Sequence, residues 1–232
     1  ALSGSNTAGA QTTLIDNSTG NLQTNFPEDL QVDWAAGVYF VLVNADPALG
    51  IGAEILMGHV NSAAAPTVVY TANANDTLNT IQLDSYSHHL YVGDLNELAD
   101  PNLTGILDFT YSPGTVTPLT LTPVATNDGF LVKASQQTAI ENDPTFGVPI
   151  FDPRDFALDH STNQLFFVNE TDGFVFTNEI YWLDLSDPTN IHPLLEQSQF
   201  PVTDENGFLT SVEVDPSTDL VYFATHSQHP SP

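Results

Sequence analysis

The stretch Pro27-Glu-Asp-Leu-Gln-Val-Asp33 returns as Pro153-Arg-Asp-Phe-Ala-Leu-Asp159, and both copies share the pattern Pro-x-Asp-apolar-x-apolar-Asp. Ile81-Gln-Leu-Asp84 and Val212-Glu-Val-Asp215 keep its second half. Apolar residues at every second position are typical of a β-strand with one buried face. The closing Asp can accept hydrogen bonds from the backbone N–H groups of a turn. We therefore predict four copies of a strand that ends in an Asp-capped turn.

Each turn is followed by a second apolar run, and these are Val38–Val41, Leu90–Val92, Leu165–Val168 and Leu220–Phe223. The first three copies then add two more runs, the last led by a proline: Ile55–Val60 with Pro66–Tyr70, Ile106–Phe109 with Pro118–Leu121, and Ile180–Leu185 with Pro193–Leu195. Proline suits an edge strand because it has no N–H to donate. Four strands per repeat are the layout of a propeller blade. The aromatic residues of the second runs are then expected to pack between blades.

We predict an all-β fold, a β-propeller-like array of four-stranded antiparallel blades. Residues 26–75, 76–125 and 126–200 form about three complete blades, and 201–232 form a partial blade of two strands. The polar segment 1–25 contains one strand-like run, Thr12-Thr13-Leu14-Ile15, with no blade of its own. We expect this run either to close the ring by completing the fourth blade or to add to the sheet of a neighbouring copy.

The charge is set by a shortage of basic residues, since 29 acidic residues face only Lys133 and Arg154, for a net charge of −27. Such a polyanion repels nucleic acid and attracts divalent cations. The chain has no Cys, and its apolar runs are far shorter than the roughly 20 residues that span a bilayer. We therefore expect no nucleic-acid partner and no membrane insertion. No signal peptide is visible at the start of the segment.

At the repeated strands the chain resembles the β-propeller class of the NHL and YVTN type, whose blades carry the Pro-x-Asp-apolar-x-apolar-Asp strand and an apolar-Tyr-apolar second strand. It is also similar to the blade-like repeats of large, calcium-associated bacterial surface proteins. The resemblance covers roughly residues 26–225. It implies a secreted, extracellular or cell-surface protein, in a class that contains enzymes, binding modules and structural proteins.

Several acidic loops that also contain Asn and Gly place oxygen atoms at short spacing, which suits calcium. The candidate ligands in these loops are Asn169, Asp172, Asp204, Asn206 and Asp128. None of the loops matches the twelve-residue EF-hand pattern. Asn-Gly and Asp-Gly are also strong hairpin-turn signals, so each loop has a plain turn interpretation beside the metal one.

Motifs for catalysis are missing from the sequence. The seven His residues include no HExxH pair, and no Gly-x-Ser-x-Gly elbow occurs. Trp34 replaces a turn residue after Asp33, and there its ring is placed to stack on a sugar or on a neighbouring protein.

These observations favour a non-enzymatic extracellular structural or adhesive module of a larger acidic bacterial surface or matrix protein. We expect it to be stabilised by cations and to assemble by strand addition, with copies of itself, other matrix proteins and glycans as partners. Two alternatives stay open. One is a secreted calcium-dependent propeller hydrolase, and the other is a carbohydrate-binding module that uses Trp34.

Overall fold

The computed structural model describes residues 27–44, 52–60, 62, 64–73, 76–96, 103–113, 121–124, 129–137, 151–170, 178–195 and 207–227. The strand-like run Thr12–Ile15 and the candidate calcium ligands Asp128, Asp172, Asp204 and Asn206 lie outside these residues. Within them the chain is built of antiparallel sheets, and the helical structure of the described part is one 3₁₀ turn at Ala134–Gln136. The all-β prediction is confirmed.

The first sheet, blade 1, contains β1 (Pro27–Asp33), β2 (Val38–Val43), β3 (Glu54–His59) and β4 (Thr67–Thr71) in sequence order. The third sheet, blade 3, repeats this order with β10 (Pro153–Asp159), β11 (Gln164–Glu170), β12 (Asn178–Asp184) and β13 (Asp187–Leu195). Each strand pairs antiparallel with the one before it. The fourth strands, β4 and β13, lie at the sheet edges as the sequence predicts, although β13 begins at Asp187, well before the predicted Pro193.

Blade 2 contains β5 (Asp76–Asp84), β6 (His89–Asn96) and β7 (Gly105–Thr110). Two short strands share the far edge of β7, namely β8 (Thr122–Pro123) and β9 (Phe130–Lys133). The sequence division had assigned residues 130–133 to the third blade, whereas β9 pairs with β7 of the second. Of the expected fourth strand Pro118–Leu121, residues 118–120 lie outside the described part of the chain.

Blade 4 is a hairpin of β14 (Gly207–Asp215) and β15 (Leu220–Ser227). Among the described residues no strand pairs with the outer edge of β15. The prediction of about three complete blades and one partial blade is confirmed for this part of the chain, although blade 2 has five strands because β8 and β9 share one edge.

The four Asp residues that close the first strands cap the turns, as predicted. Backbone N–H groups of the turns donate to one carboxylate oxygen of each: Ala36 to Asp33 (2.8 Å), Tyr86 to Asp84 (2.9 Å), Ser161 to Asp159 (2.7 Å) and Ser217 to Asp215 (2.9 Å). These carboxylates accept hydrogen bonds from backbone N–H groups of the turns that have no partner in the strand pairing. This end of the array is called the turn face below.

The first strands β1, β5, β10 and β14 pack side by side and hold the blades together. Each carries a β-bulge at the same place, where Glu28, Asn79, Arg154 and Thr210 interrupt the register. Bulges bend a strand and increase its twist, as adjacent blades of a propeller require.

Separate apolar clusters fill the space between neighbouring blades. Phe40 of blade 1 packs with Ile81 of blade 2, and Tyr91 of blade 2 packs in one cluster with Phe156 of blade 3. Val212 of blade 4 belongs to a third cluster with residues of blade 3. The core of this protein is therefore a series of blade-to-blade layers.

Candidate functional site

Carboxylates of the first strands bind the next blade directly. Asp29 Oδ2 accepts hydrogen bonds from the Ile81 N–H (2.9 Å) and the Thr80 hydroxyl (3.1 Å), which joins blade 1 to blade 2. Asp155, at the equivalent position of blade 3, accepts the N–H of Val212 in blade 4 (2.8 Å). These are the first Asp residues of the Pro-x-Asp motif. Sequence analysis gave them no role, although their repetition at a fixed distance from the turn Asp was a usable signal.

Blades 2 and 3 are joined by a different set of contacts, because blade 2 has Thr80 at the position equivalent to Asp29 and Asp155. The carboxylate of Asp152 accepts a hydrogen bond from the Asn79 amide and binds Arg154 (2.8 Å). The backbone N–H of Asp152 in turn donates to Asn169 Oδ1 (2.7 Å). Asn169 is buried, and its carbonyl oxygen is used in this contact. Its predicted role as a calcium ligand stays a prediction.

A cavity of about 560 Å³ opens between blades 2 and 3 at the turn face. Two acid–imidazole pairs line it: His89 Nδ1 lies 2.7 Å from Asp108 Oδ1, and His160 Nδ1 of blade 3 lies 3.5 Å from Asp84 Oδ1. Both carboxylates are buried, and both imidazoles are partly exposed. The cavity thus combines proton donors and acceptors.

The two pairs differ in what sets their charge. The hydrogen bond to Asp108 raises the pKa of His89 above its ordinary value, burial opposes this, and the charges of Asp108 and Asp84 add to it. Burial alone would raise the pKa of Asp84. Hydrogen bonds from Ser87 and the Tyr86 N–H, with His160 nearby, lower it overall. Asp84 is therefore a turn cap whose pKa is lowered, and His89 is an imidazole whose pKa is raised.

Aromatic rings stand out on the turn face. Trp34 is 75% exposed in the turn of blade 1, and Tyr86 is exposed in the turn of blade 2. The expected exposure of Trp34 is confirmed, while its expected role in binding is untested.

The outer edge of β15 in blade 4 has no paired strand among the described residues, whereas the second strand of each other blade pairs with a third strand. Tyr222 is 54% exposed, although its register equivalents Phe40, Tyr91 and Phe166 are at most 6% exposed. Phe223 is also exposed. The expectation that these two aromatic residues pack between blades was wrong, because no third strand and no following blade cover them among the described residues.

A pair of buried carboxylates lies between blades 1 and 2, at the end of β5 opposite the turn face. Asp76 and Asp94 are 3% and 2% exposed, and both lie close enough to Tyr70 of blade 1 for their charges to act on it. Burial, followed by the charge of Asp76, raises the pKa of Asp94 to about 8. Burial, followed by the charges of Asp94 and Asp76, raises the pKa of Tyr70 to about 12. Sequence analysis did not single out these residues, because their proximity depends on how the blades pack.

Two features are absent from the described residues. No group of three or more His, Cys, Asp or Glu side chains is arranged to hold a metal ion there. No helix of that part of the chain has the length and apolar character needed to cross a bilayer.

Comparisons with known proteins bear on the fold. No protein-family model matches the chain, and no curated protein matches it. The crystal structure of a nidogen/laminin complex contains a similar chain, with a TM-score of 0.53 and 13% identity over 87% of this chain and 57% of that one. The crystal structure of a protein from Lactobacillus plantarum gives a TM-score of 0.48 and 13% identity over 86% and 50%. This chain thus spans less than two thirds of either match.

At such low identity the likeness to the first structure concerns the fold alone. It agrees with the series of antiparallel sheets described above, whose first strands pack against one another. The narrower NHL and YVTN class stays a prediction. The chain has the β-propeller fold.

Proposed function

We propose that this protein is a non-enzymatic structural module of an extracellular assembly, and that it joins other copies of itself by strand addition to β15. The observation that carries the proposal is the open second strand of blade 4. Its edge has no partner among the described residues, and its aromatic side chains are exposed where the equivalent side chains are buried.

The free energy of burial and of backbone hydrogen bonding favours the addition of a strand at the outer edge of β15. Burying an aromatic side chain contributes about 1.5–3 kcal/mol, and an unpaired strand edge offers a row of backbone donors and acceptors. An added strand satisfies both at once. The run Thr12–Ile15 combines β-branched and apolar residues, which favour a strand, and we assign it as the donor.

Size-exclusion chromatography with light scattering tests the assembly. We expect the mass of the full chain to rise with concentration, and Ile15→Pro and Tyr222→Ser to shift it toward the monomer. Thr7→Pro is the matched control, since it places a proline in the same segment but outside the run. A full chain that stays monomeric at high concentration would contradict assembly between copies.

The expected location has its own test. The charge of −27 and the absence of Cys suit a secreted, cation-rich environment. We expect fractionation of producing cells to recover the protein from the medium or the washed cell surface. Recovery from the cytoplasm alone would refute the extracellular assignment.

A carbohydrate-binding module is the second candidate, favoured by the exposed rings of Trp34 and Tyr86 on neighbouring turns. Aromatic faces are common platforms for sugar rings. Glycan-array binding that disappears in Trp34→Ala and persists in Leu30→Ala, another exposed apolar residue of blade 1, would support it. Equal binding by both variants would exclude Trp34 as the contact.

The calcium-dependent hydrolase stays a prediction from the sequence. Its chemistry would use the acid–imidazole pairs of the turn-face cavity, so His89→Ala should abolish any turnover found in a screen of lactones and glycosides. Turnover that is unchanged in this variant would remove the cavity from consideration.

A further inference from the structure

Of the two buried carboxylates between blades 1 and 2, that of Asp94 has an oxygen without a hydrogen-bond partner. Asp94 pairs with Leu78 across β5 and β6, and Asp76 pairs with Asn96, so the two Asp residues are diagonal neighbours on one sheet face. Diagonal neighbours in antiparallel sheets are about 7–8 Å apart at their Cα atoms. Asp94 Oδ1 is buried and has no hydrogen-bond partner in the described structure.

The hydrogen bonds of Asp76 show that its carboxylate is oriented by its surroundings. Both the backbone N–H and the side-chain amide of Asn73 donate to Asp76 Oδ2, at 3.2 and 2.6 Å. Asp94 has no such donor at Oδ1 and forms no ion pair in the described part of the chain. A buried carboxylate oxygen without a partner costs free energy that a native structure normally recovers through a bound group.

We propose that Asp76 and Asp94, together with the hydroxyl of Tyr70, bind a calcium ion between blade 1 and blade 2. The two carboxylates are buried and the phenol is partly buried at the same blade joint, and together they offer up to five oxygens. Calcium takes six to eight oxygen ligands in flexible geometry, so water would complete the shell. Magnesium requires a stricter octahedron, and zinc prefers nitrogen and sulfur ligands.

This site is separate from the loops in which the sequence predicts calcium, and it does not depend on strand addition at β15. Tyr70 is on the edge strand of blade 1, whereas both Asp residues are on blade 2. A bound ion would therefore fix one blade to the next at the end of β5 that is distant from the turn face. We expect it to act on stability and to leave the oligomeric state unchanged.

Thermal unfolding of the chelator-treated full chain, titrated with calcium chloride, tests the proposal. At a hundredfold excess over the dissociation constant we expect the Tm to rise by about 5–10 °C. Magnesium chloride at equal ionic strength should give a much smaller rise. Asp94→Asn should abolish the calcium-specific rise.

Because the chain is strongly acidic, calcium also binds its surface weakly. Asp219→Asn is the matched control, since it removes an exposed carboxylate from the turn of blade 4, and it should keep the full calcium-specific rise. If Asp94→Asn and Asp219→Asn respond to calcium alike, or if calcium and magnesium act equally on the unsubstituted chain, the site does not exist.

A second measurement covers the case in which Asp94→Asn does not fold. Terbium replaces calcium at oxygen sites and emits when a nearby tyrosine is excited. We expect Tyr70→Phe to lose a large part of the sensitised emission, whereas Tyr86→Phe, which alters an exposed ring at the turn face, should keep it. Equal emission from the two variants would overturn the proposal.

Discussion

Asp155 gives a pH-dependent test of how the blades are joined. Its carboxylate accepts the N–H of Val212 in blade 4, and burial, together with the charges of Asp29 and Glu213, raises its pKa to about 6 against the hydrogen bonds from Val212 and Phe156. The folded protein therefore binds more protons at this group than the unfolded chain does between pH 3.8 and about 6. Stability must fall as pH rises through that range.

The size of the effect follows from the shift. A rise in the pKa of Asp155 from 3.8 to about 6 lowers the free energy of unfolding by about 3 kcal/mol at neutral pH. Because Asp155 is only partly buried, solvent screening reduces this, and we expect about 1–2 kcal/mol. Asp155→Asn keeps the carbonyl acceptor for Val212 and removes the ionisation. It should match the wild type near pH 4 and exceed its stability by that amount near pH 7.

Urea denaturation at several pH values between about 4 and 8 measures the difference. Asp215→Asn is a control of opposite sign, because hydrogen bonds from the Ser217 hydroxyl and N–H and from Thr218 lower the pKa of Asp215. That substitution should be destabilising at neutral pH, and its effect should fade as pH falls through the folded pKa. Parallel curves for wild type and Asp155→Asn across the whole range would refute the reasoning.

Three further substitutions have defined outcomes. Gly105→Ala places a Cβ against the backbone of β9, so we expect a loss of about 1–3 kcal/mol in chemical denaturation. Tyr111→Phe removes the buried hydroxyl that donates to Asp33 (2.7 Å) and should cost about 1–3 kcal/mol by the same assay. Because the pKa of His89 is raised in the folded protein, its contribution to the free energy of unfolding is present below about pH 6.5. That contribution is lost as pH rises through the folded pKa. In Asp108→Asn, an NMR titration should find the pKa of His89 lowered.

The repeat was readable from sequence because its signals are local. Alternating apolar residues define β1, β5, β10 and β14, and the Asp that follows each one caps its turn through hydrogen bonds within three residues. Neither feature depends on the rest of the fold. Counting such runs gives the four strands of blades 1 and 3 and the two strands of blade 4, but not the five of blade 2.

Pairing at the edge of blade 2 was not readable in the same way. Gly105 and its neighbours in β7 pair with Phe130–Lys133, a run to which the sequence gives no place in blade 2, while β8 pairs with the other end of β7. The position of β9 depends on packing. Phe130 enters the layer between blades 1 and 2, a contact that no local pattern encodes.

The roles of the carboxylates divide along the same line. Asp33 and Asp84 serve their own turns, so sequence predicts them, whereas Asp29 and Asp155 serve the next blade. A motif can show that such a residue recurs. Its partner becomes visible only when the neighbouring blade is in place. Asp94 is the extreme case, since it has no repeated counterpart and owes its environment entirely to the joint.

This division explains how a chain with 29 acidic and two basic residues remains folded. The carboxylates at turns are stabilised by backbone and hydroxyl donors, and Asp33 also accepts the hydroxyl of Tyr111 from blade 2, so they need no basic partner. Those buried between blades are less well compensated, and burial raises the pKa of both Asp94 and Asp155. The joints between blades, rather than the blades, should therefore loosen first as pH rises. Hydrogen exchange should show it as earlier loss of protection at Val212 than at Val168, which lies inside blade 3.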